Sequence, residues 1–397
     1  MATAPALRAS AERNFYGLVA LGALVLTAGL AAAHYMDVNG HVVTGMNNQV
    51  VWGLPHVFAI FMIVAASGVL NVASVGSVFG QPAYKARAPL SGLLCLALLA
   101  GGLMVLLLDL GRPERLIVAA THYNFRSVFA WNVILYSGMF AIVAVYLWTL
   151  LERRMNQHAK AVGIAVLVWR FVLTTGTGSI FGFLVARQAY QSALLAPLFI
   201  VLSLGWGLAV FLIVQAALYG WHGRALPVAL LQRMARLLAI FVAASLYLVA
   251  VHHGTAIYFT RQQDFEAFIL LGRGAANGVF PWLFWGGYVG LGSVLPLLLL
   301  FHPRLAGLRA TLAAAALVLA GAFAWLYVFI IGGQAFPLEI FPGHVVTSSF
   351  SDGTVEHYLP SLPEWLLGLG GLAAAFVLTT VGVRVLDVMP PAAEEGA

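Results

Sequence analysis

The sequence predicts an all-α polytopic membrane protein with about ten transmembrane helices. Two observations carry this. Of 397 residues, 62% are hydrophobic and only 9% charged, against roughly 25% charged in soluble domains. The apolar residues also fall into continuous runs of about 20 or more, the length that spans a bilayer as helix, and not into the alternating segments of about 10 residues that build a β-barrel. Composition excludes further classes. The single cysteine, Cys95, lies inside an apolar run, so neither a CxxCH haem attachment nor a cysteine-ligated iron–sulfur cluster can be built by this chain. The +6 formal charge is scattered at helix ends and gives no basic patch for nucleic acid.

Taken in order, the spans are expected near Phe15–Tyr35, Val50–Val75, Leu90–Leu108, Ser127–Leu151, Ala161–Ala186, Leu194–Tyr219, Leu237–Tyr258, Gly278–Phe301, Leu312–Ile331 and Glu364–Leu386. The first follows Arg8 and Arg13 and ends in LAAAH, a pattern shared with signal peptides; its length favours an uncleaved helix. In the second, Pro55 falls near the helix start, where the backbone has no donor to lose. The acidic, proline-containing end PPAAEEGA reads as part of a disordered tail over 387–397, and the rest as a single membrane domain.

Lysine and arginine set the expected orientation. With the N-terminus inside, one side receives Arg8, Arg13, Lys85, Arg87, Arg153, Arg154, Lys160, Arg224, Arg233, Arg236, Arg304, Arg309 and Arg384. The other receives Arg112, Arg115, Arg126, Arg187, Arg261 and Arg273, while Arg170 falls within a span. The bias predicts both termini in the cytoplasm, and hence a multi-pass protein of the bacterial inner membrane. Arg112, Arg115 and Arg126 belong to one short outer connection, DLGRPERLIVAATHYNFRS, an exception that asks for a local reason. The long outer connection Gly332–Pro363, with Glu339, Asp352 and Glu356, reads as a docking surface.

Sorted by depth on this topology, nearly all membrane-depth polarity falls in the outer leaflet. Trp52 and His56, four residues apart, share a face at the start of the second helix. Asp109 ends the third, followed by Gly111 and Arg112; His122 and Asn124 sit above the fourth, with Tyr136 two turns down. Such residues offer what a quinone pocket needs: donors for two carbonyl oxygens, a group that passes protons, and aromatic walls. Asp109 and Arg112 would equally serve as a helix-end pair, and His122 as a solvated loop residue. His56 is the strongest candidate, because ionisable groups within spans are usually functional. Of the adjacent His252 and His253, at most one is expected to face the bundle. Arg170, near the midplane, must face the interior, either lining a proton path or locking helices together.

The strings DLGRPER, NNQVVWGLPHVFAIF, HYNFRSVFAWN and LPEWLLGLGG resemble the NrfD/PsrC family of membrane quinone-binding subunits over nearly the whole chain. The length is similar to that of its ten-helix branch, which includes the HybB-type hydrogenase subunits and, closest in wording, the DsrP-type subunits of DsrMKJOP complexes. The resemblance implies two four-helix bundles plus flanking helices, a menaquinone or ubiquinone site near the periplasmic face, no haem, and a periplasmic ferredoxin-like iron–sulfur partner. It also implies that Trp52, His56, Asp109, Arg112, His122 and Asn124 line the pocket. The carboxylate that hydrogenase-type members carry on the helix matching FPWLFWGGY is absent here, which leaves a proton route there in doubt.

Three functions are weighed. In an electron-transfer subunit, His56, Asp109 and Arg112 would be the reactive groups, and Arg170 and His252 a proton path. A transporter would concentrate polarity near the midplane at broken helices, where only Arg170 lies. A cytochrome b using His56 with His252 or His253 would lack the histidine pair for a second haem.

Overall fold

The computed structural model describes residues 4–274, 278–302, 307–338 and 353–390. Ten helices are long and apolar enough to cross a membrane: α1 Asn14–Asn39, α2 Leu54–Ser77, α3 Ala88–Leu108, α4 Val128–Leu151, α5 Arg153–Gly182, α6 Leu195–Trp221, α7 Val228–Tyr258, α8 Val279–Phe301, α9 Leu308–Ala335 and α10 Leu362–Val385. Among the described residues no strand forms. The chain is a multi-pass, all-α integral membrane protein.

Two boundaries depart from expectation for physical reasons. Helix α7 begins nine residues before Leu237, because Leu230, Leu231, Met234 and Leu238 are buried at helical spacing while Arg233 and Arg236 stay outside; the two charges dilute the hydropathy without breaking the stripe. Helix α2 begins at Leu54 and not Val50, since the Val50 amide turns back to the Asn47 side chain and the amides of Val51 and Trp52 bond to Gln334 of α9. At the C-terminal end, Val388 is buried, so residues 387–390 pack back on the protein; 391–397 lie outside the described residues, as does the 339–352 part of the expected docking loop.

The helices pack as two rings of four. In one, α2 lies against α3 and α5, and α4 closes the ring between them; in the other, α6, α7, α8 and α9 pack in the same cyclic order. Helices α2 and α5 join the rings by packing on α6, and α1 with α10 flank the first ring through α3 and α2. Helix α2 is thus surrounded, and 20 of its 24 residues are buried.

Lipid tails are as apolar as leucine, so burial alone gives helices no reason to associate in a membrane; close backbone approach has to supply dispersion contacts. Glycine makes those approaches. A Cβ on Gly68 of α2 would lie 1.7 Å from the Ser203 carbonyl oxygen of α6, and one on Gly207 would lie 2.1 Å from the Gly68 carbonyl carbon. Gly29 against Gly370 does the same for α1 and α10, and Gly292 against Gly321 for α8 and α9. Replacing Gly207 by valine is expected to cost about 3 kcal/mol or more through overpacking, read as a lower unfolding temperature in detergent. Gly254→Ala, where nothing lies within 4 Å, is expected to be neutral or stabilising by up to about 1 kcal/mol.

Candidate functional site

The segment entering α2 is not helical, yet Gln49, Val50 and Gly53 in it are buried, so its backbone groups must find partners elsewhere. Gln334, at the end of α9 and 1% exposed, supplies several: its Oε1 accepts from the amides of Val51 (3.0 Å) and Trp52 (2.9 Å), and its Nε2 donates to the Trp52 carbonyl (3.0 Å). Arg187 donates to the Gln334 and Gln49 carbonyls at 2.9 and 2.8 Å, although burial pulls its pKa below the ordinary arginine value. Gln49 in turn donates to the Ala335 carbonyl. On the other side stands Glu364, fully buried at the start of α10. Its carboxylate accepts from the amides of Gly45 and Ser361 and from the Tyr358 hydroxyl, which itself accepts from the Leu54 amide at 2.6 Å. Burial, and after it the Glu364 carboxylate, pushes the Tyr358 pKa well up, so the hydroxyl keeps the proton it donates.

This frame aims two side chains. Trp52 stacks on His56 with ring centroids 5.9 Å apart and meets Phe181 of α5 edge-on at 5.6 Å and Phe129 of α4 at 6.2 Å. His56 reaches Asp109, the cap residue of α3: Nδ1 lies 2.8 Å from Oδ2. Asp109 also has a second imidazole nearby, with His41 Nε2 3.9 Å from its other oxygen, Oδ1. The carboxylate is completely enclosed, while the side chains of His56 and His41 are 14% and 30% exposed. The His56–Asp109 contact is close but bent from a straight hydrogen bond. His56 Nδ1, both Asp109 oxygens and His41 Nε2 are all buried without a hydrogen-bond partner among the described residues. Gly111 of DLGRP, at φ 72°, completes the corner, since a Cβ there would sit 3.0 Å from the His41 ring.

The other expected site residues are placed differently. Arg112, one residue past that glycine, is exposed, and among the described residues no ion pair joins it to Asp109. His122 and Asn124 are also exposed: His122 Nδ1 contacts the Thr121 hydroxyl, and Asn124 accepts from the Arg126 amide in a local turn. These three form the outer surface beside the site, amid exposed Ile117, Phe125, Phe129 and Trp131. Tyr136 is buried in α4, its hydroxyl toward Thr177 of α5.

Arg170 is buried at the middle of α5. It donates to the Ser67 carbonyl at 3.3 Å and lies over the Phe171 ring, and its Nε has no partner among the described residues. The expectation that at most one of His252 and His253 faces inward needs correction. His252 is buried beside a cavity of about 280 Å³ lined also by Gln191, Ser192 and Gln262. His253 lies 2.8 Å from buried Glu266. The short helix Gln263–Leu271 folds back over α7 and covers the second ring, a tertiary arrangement that span prediction does not see. Sequence reasoning also missed His41, Gln334 and Glu364; the only hint for His41 was its position just ahead of the polar NNQ run.

The model of the family described as "Polysulphide reductase, NrfD" matches residues 42–338. The chain belongs to this family. An Archaeoglobus fulgidus protein named as an Hdr-like menaquinol oxidoreductase integral membrane subunit is 29% identical over 96% of this chain and 95% of its own length. A Halobacterium salinarum protein named as a putative membrane subunit of dimethyl sulfoxide reductase is 26% identical over 94% and 91%. A Wolinella succinogenes protein named as one of the chains of polysulfide reductase is 24% identical over 73% of this chain and 96% of its own length. The NrfD match begins at Val42, so it covers α2 to α9 and leaves α1 and α10 as flanking additions.

In this NrfD-family chain the Gln334 frame predicts a graded result. Gln334→Leu leaves two amides and a carbonyl unpaired and is expected to cost about 1 to 3 kcal/mol for each group left buried, with a shifted Trp52 fluorescence. Gln334→Glu, which keeps the acceptor, is expected to lose less. Thermal unfolding followed by tryptophan emission checks both.

Proposed function

We propose that the chain is the membrane subunit of a multi-subunit oxidoreductase and that it binds a quinone or quinol against His56 and Asp109, exchanging electrons with an iron–sulfur partner. The observation that carries this is a partly exposed His56, its Nδ1 turned to the enclosed Asp109 carboxylate at 2.8 Å, standing beside an aromatic wall of Trp52, Phe181 and Phe129. A ligand with a polar oxygen on a flat ring suits both halves of this arrangement, the imidazole for the oxygen and the aromatic wall for the ring. The relatives' names, menaquinol oxidoreductase and polysulfide reductase among them, support menaquinone ahead of ubiquinone, and with the DLGRPER and NNQVVWGLPH strings support a DsrP-like place in sulfur metabolism. The hydrogenase-type reading has the same site and a different electron donor.

Chemically, His56 has its Nδ1 toward Asp109, which leaves Nε2 as the ring's other proton site. An Asp109 carboxylate facing Nδ1 would hold the imidazole in the Nδ1–H tautomer, so that Nε2 takes the two quinol hydroxyl protons in turn, the first passing on before the second, as the two electrons leave to the iron–sulfur partner; the same groups run in reverse for reduction. The excess of lysine and arginine at the opposite helix ends supports a periplasmic site and cytoplasmic termini in the bacterial inner membrane. The exposed Arg112, His122 and Asn124 then belong to the surface that meets the partner. Arg170, near the middle of α5 and well below the site, and His252 are left as candidates for a separate proton path.

The test is a titration of the purified full chain in nanodiscs with a fluorescent quinol-site inhibitor. Saturable binding is expected, weakened at least about tenfold, or about 1.4 kcal/mol, by His56→Ala and by Asp109→Asn and little changed by Arg112→Ala. Folded wild type that does not bind the inhibitor would sink the quinone site and bring transport forward.

A further inference from the structure

Asp109 presents its two oxygens to two different histidines, Oδ2 to His56 and Oδ1 to His41. The three side chains differ in their access to water: Asp109 has none, His56 has little, and His41 has the most. His41 opens a single 3-10 turn, His41–Val43, in the α1–α2 connection, after Gly40 at φ 76°. Its ring lies on the bare Cα of Gly111, and its buried edge, Nε2, faces Asp109 without a hydrogen-bond partner among the described residues. The separation of 3.9 Å exceeds a hydrogen bond, and a small ring movement or one bridging water closes it.

Resting on the quinone-site reading above, we infer that His41 relays protons between Asp109 and the aqueous phase. A proton arriving at His56 passes from Nδ1 to Asp109 Oδ2. The protonated carboxyl group turns about its Cβ–Cγ bond, which brings that proton to the side facing His41, and gives it to Nε2, while His41 releases the one on Nδ1 to water; the rings return to their starting tautomers before the next proton. One proton enters and one leaves, no electron moves through the relay, and the sequence reverses for uptake. His41 touches Asp109 and not the quinone. The geometry accounts for an enclosed carboxylate flanked by two imidazoles, where a helix cap alone needs neither.

The experiment uses the native complex isolated through this chain, with a water-soluble quinol and a dye acceptor, and the inhibitor titration run in parallel. His41→Ala is expected to lower turnover at least about tenfold, the low end for lost acid–base assistance, with inhibitor affinity and KM kept within about twofold. Added imidazole should restore part of the rate in His41→Ala and none in a His41→Phe variant, whose ring fills the space. Unchanged turnover in His41→Ala, or loss that imidazole does not rescue, overturns the relay while leaving the quinone site standing. Wild type that neither binds the inhibitor nor turns over removes the site, and the relay with it.

Discussion

The entry to α2 governs the rest of the structure. Here six or so residues run as irregular backbone inside a helical membrane protein, where each unpaired amide or carbonyl costs several kcal/mol. The protein meets this with a small set of side chains brought from far along the chain. Gln334 comes from α9, Arg187 from the α5–α6 connection, Tyr358 from the stretch just ahead of α10, and Glu364 from its first turn. Because those partners belong to both rings and to a flanking helix, satisfying this one segment also fixes how the rings and the flank meet.

The geometry of the site is a consequence. Trp52 is held by its own amide and carbonyl, so its ring has a fixed place from which to stack on His56, one turn later. His56 then reaches the cap of α3, and Gly111 leaves room for His41 to approach the same carboxylate. The result is a fixed His56–Asp109–His41 cluster, backed by groups that do not touch it. Its polar atoms are left without partners among the described residues, whereas the framework a few ångströms away is densely paired.

Much of the site is legible in the sequence. His56 and Asp109 stand out because an ionisable group at membrane depth is costly wherever it occurs, and Trp52 follows from its spacing to His56. Arg112, His122 and Asn124 join them only by proximity along the chain, which turns at Gly111 and leaves all three on the surface. The pairing of His253 with Glu266, and the burial of His252, depend on a short helix folding back, and no periodicity in α7 announces that.

The sequence by itself determined the all-α class and the ten spans, because those follow from local quantities: the length of an apolar run and the cost of a charge within it. Only the tertiary structure decided which polar residues meet. Gln334 lies 282 residues from Trp52 and Glu364 lies 319 from Gly45; a glutamine or glutamate at a helix end looks alike whether it faces water or another helix. What distinguishes them is the backbone group each one finds, and that exists only once the helices have packed.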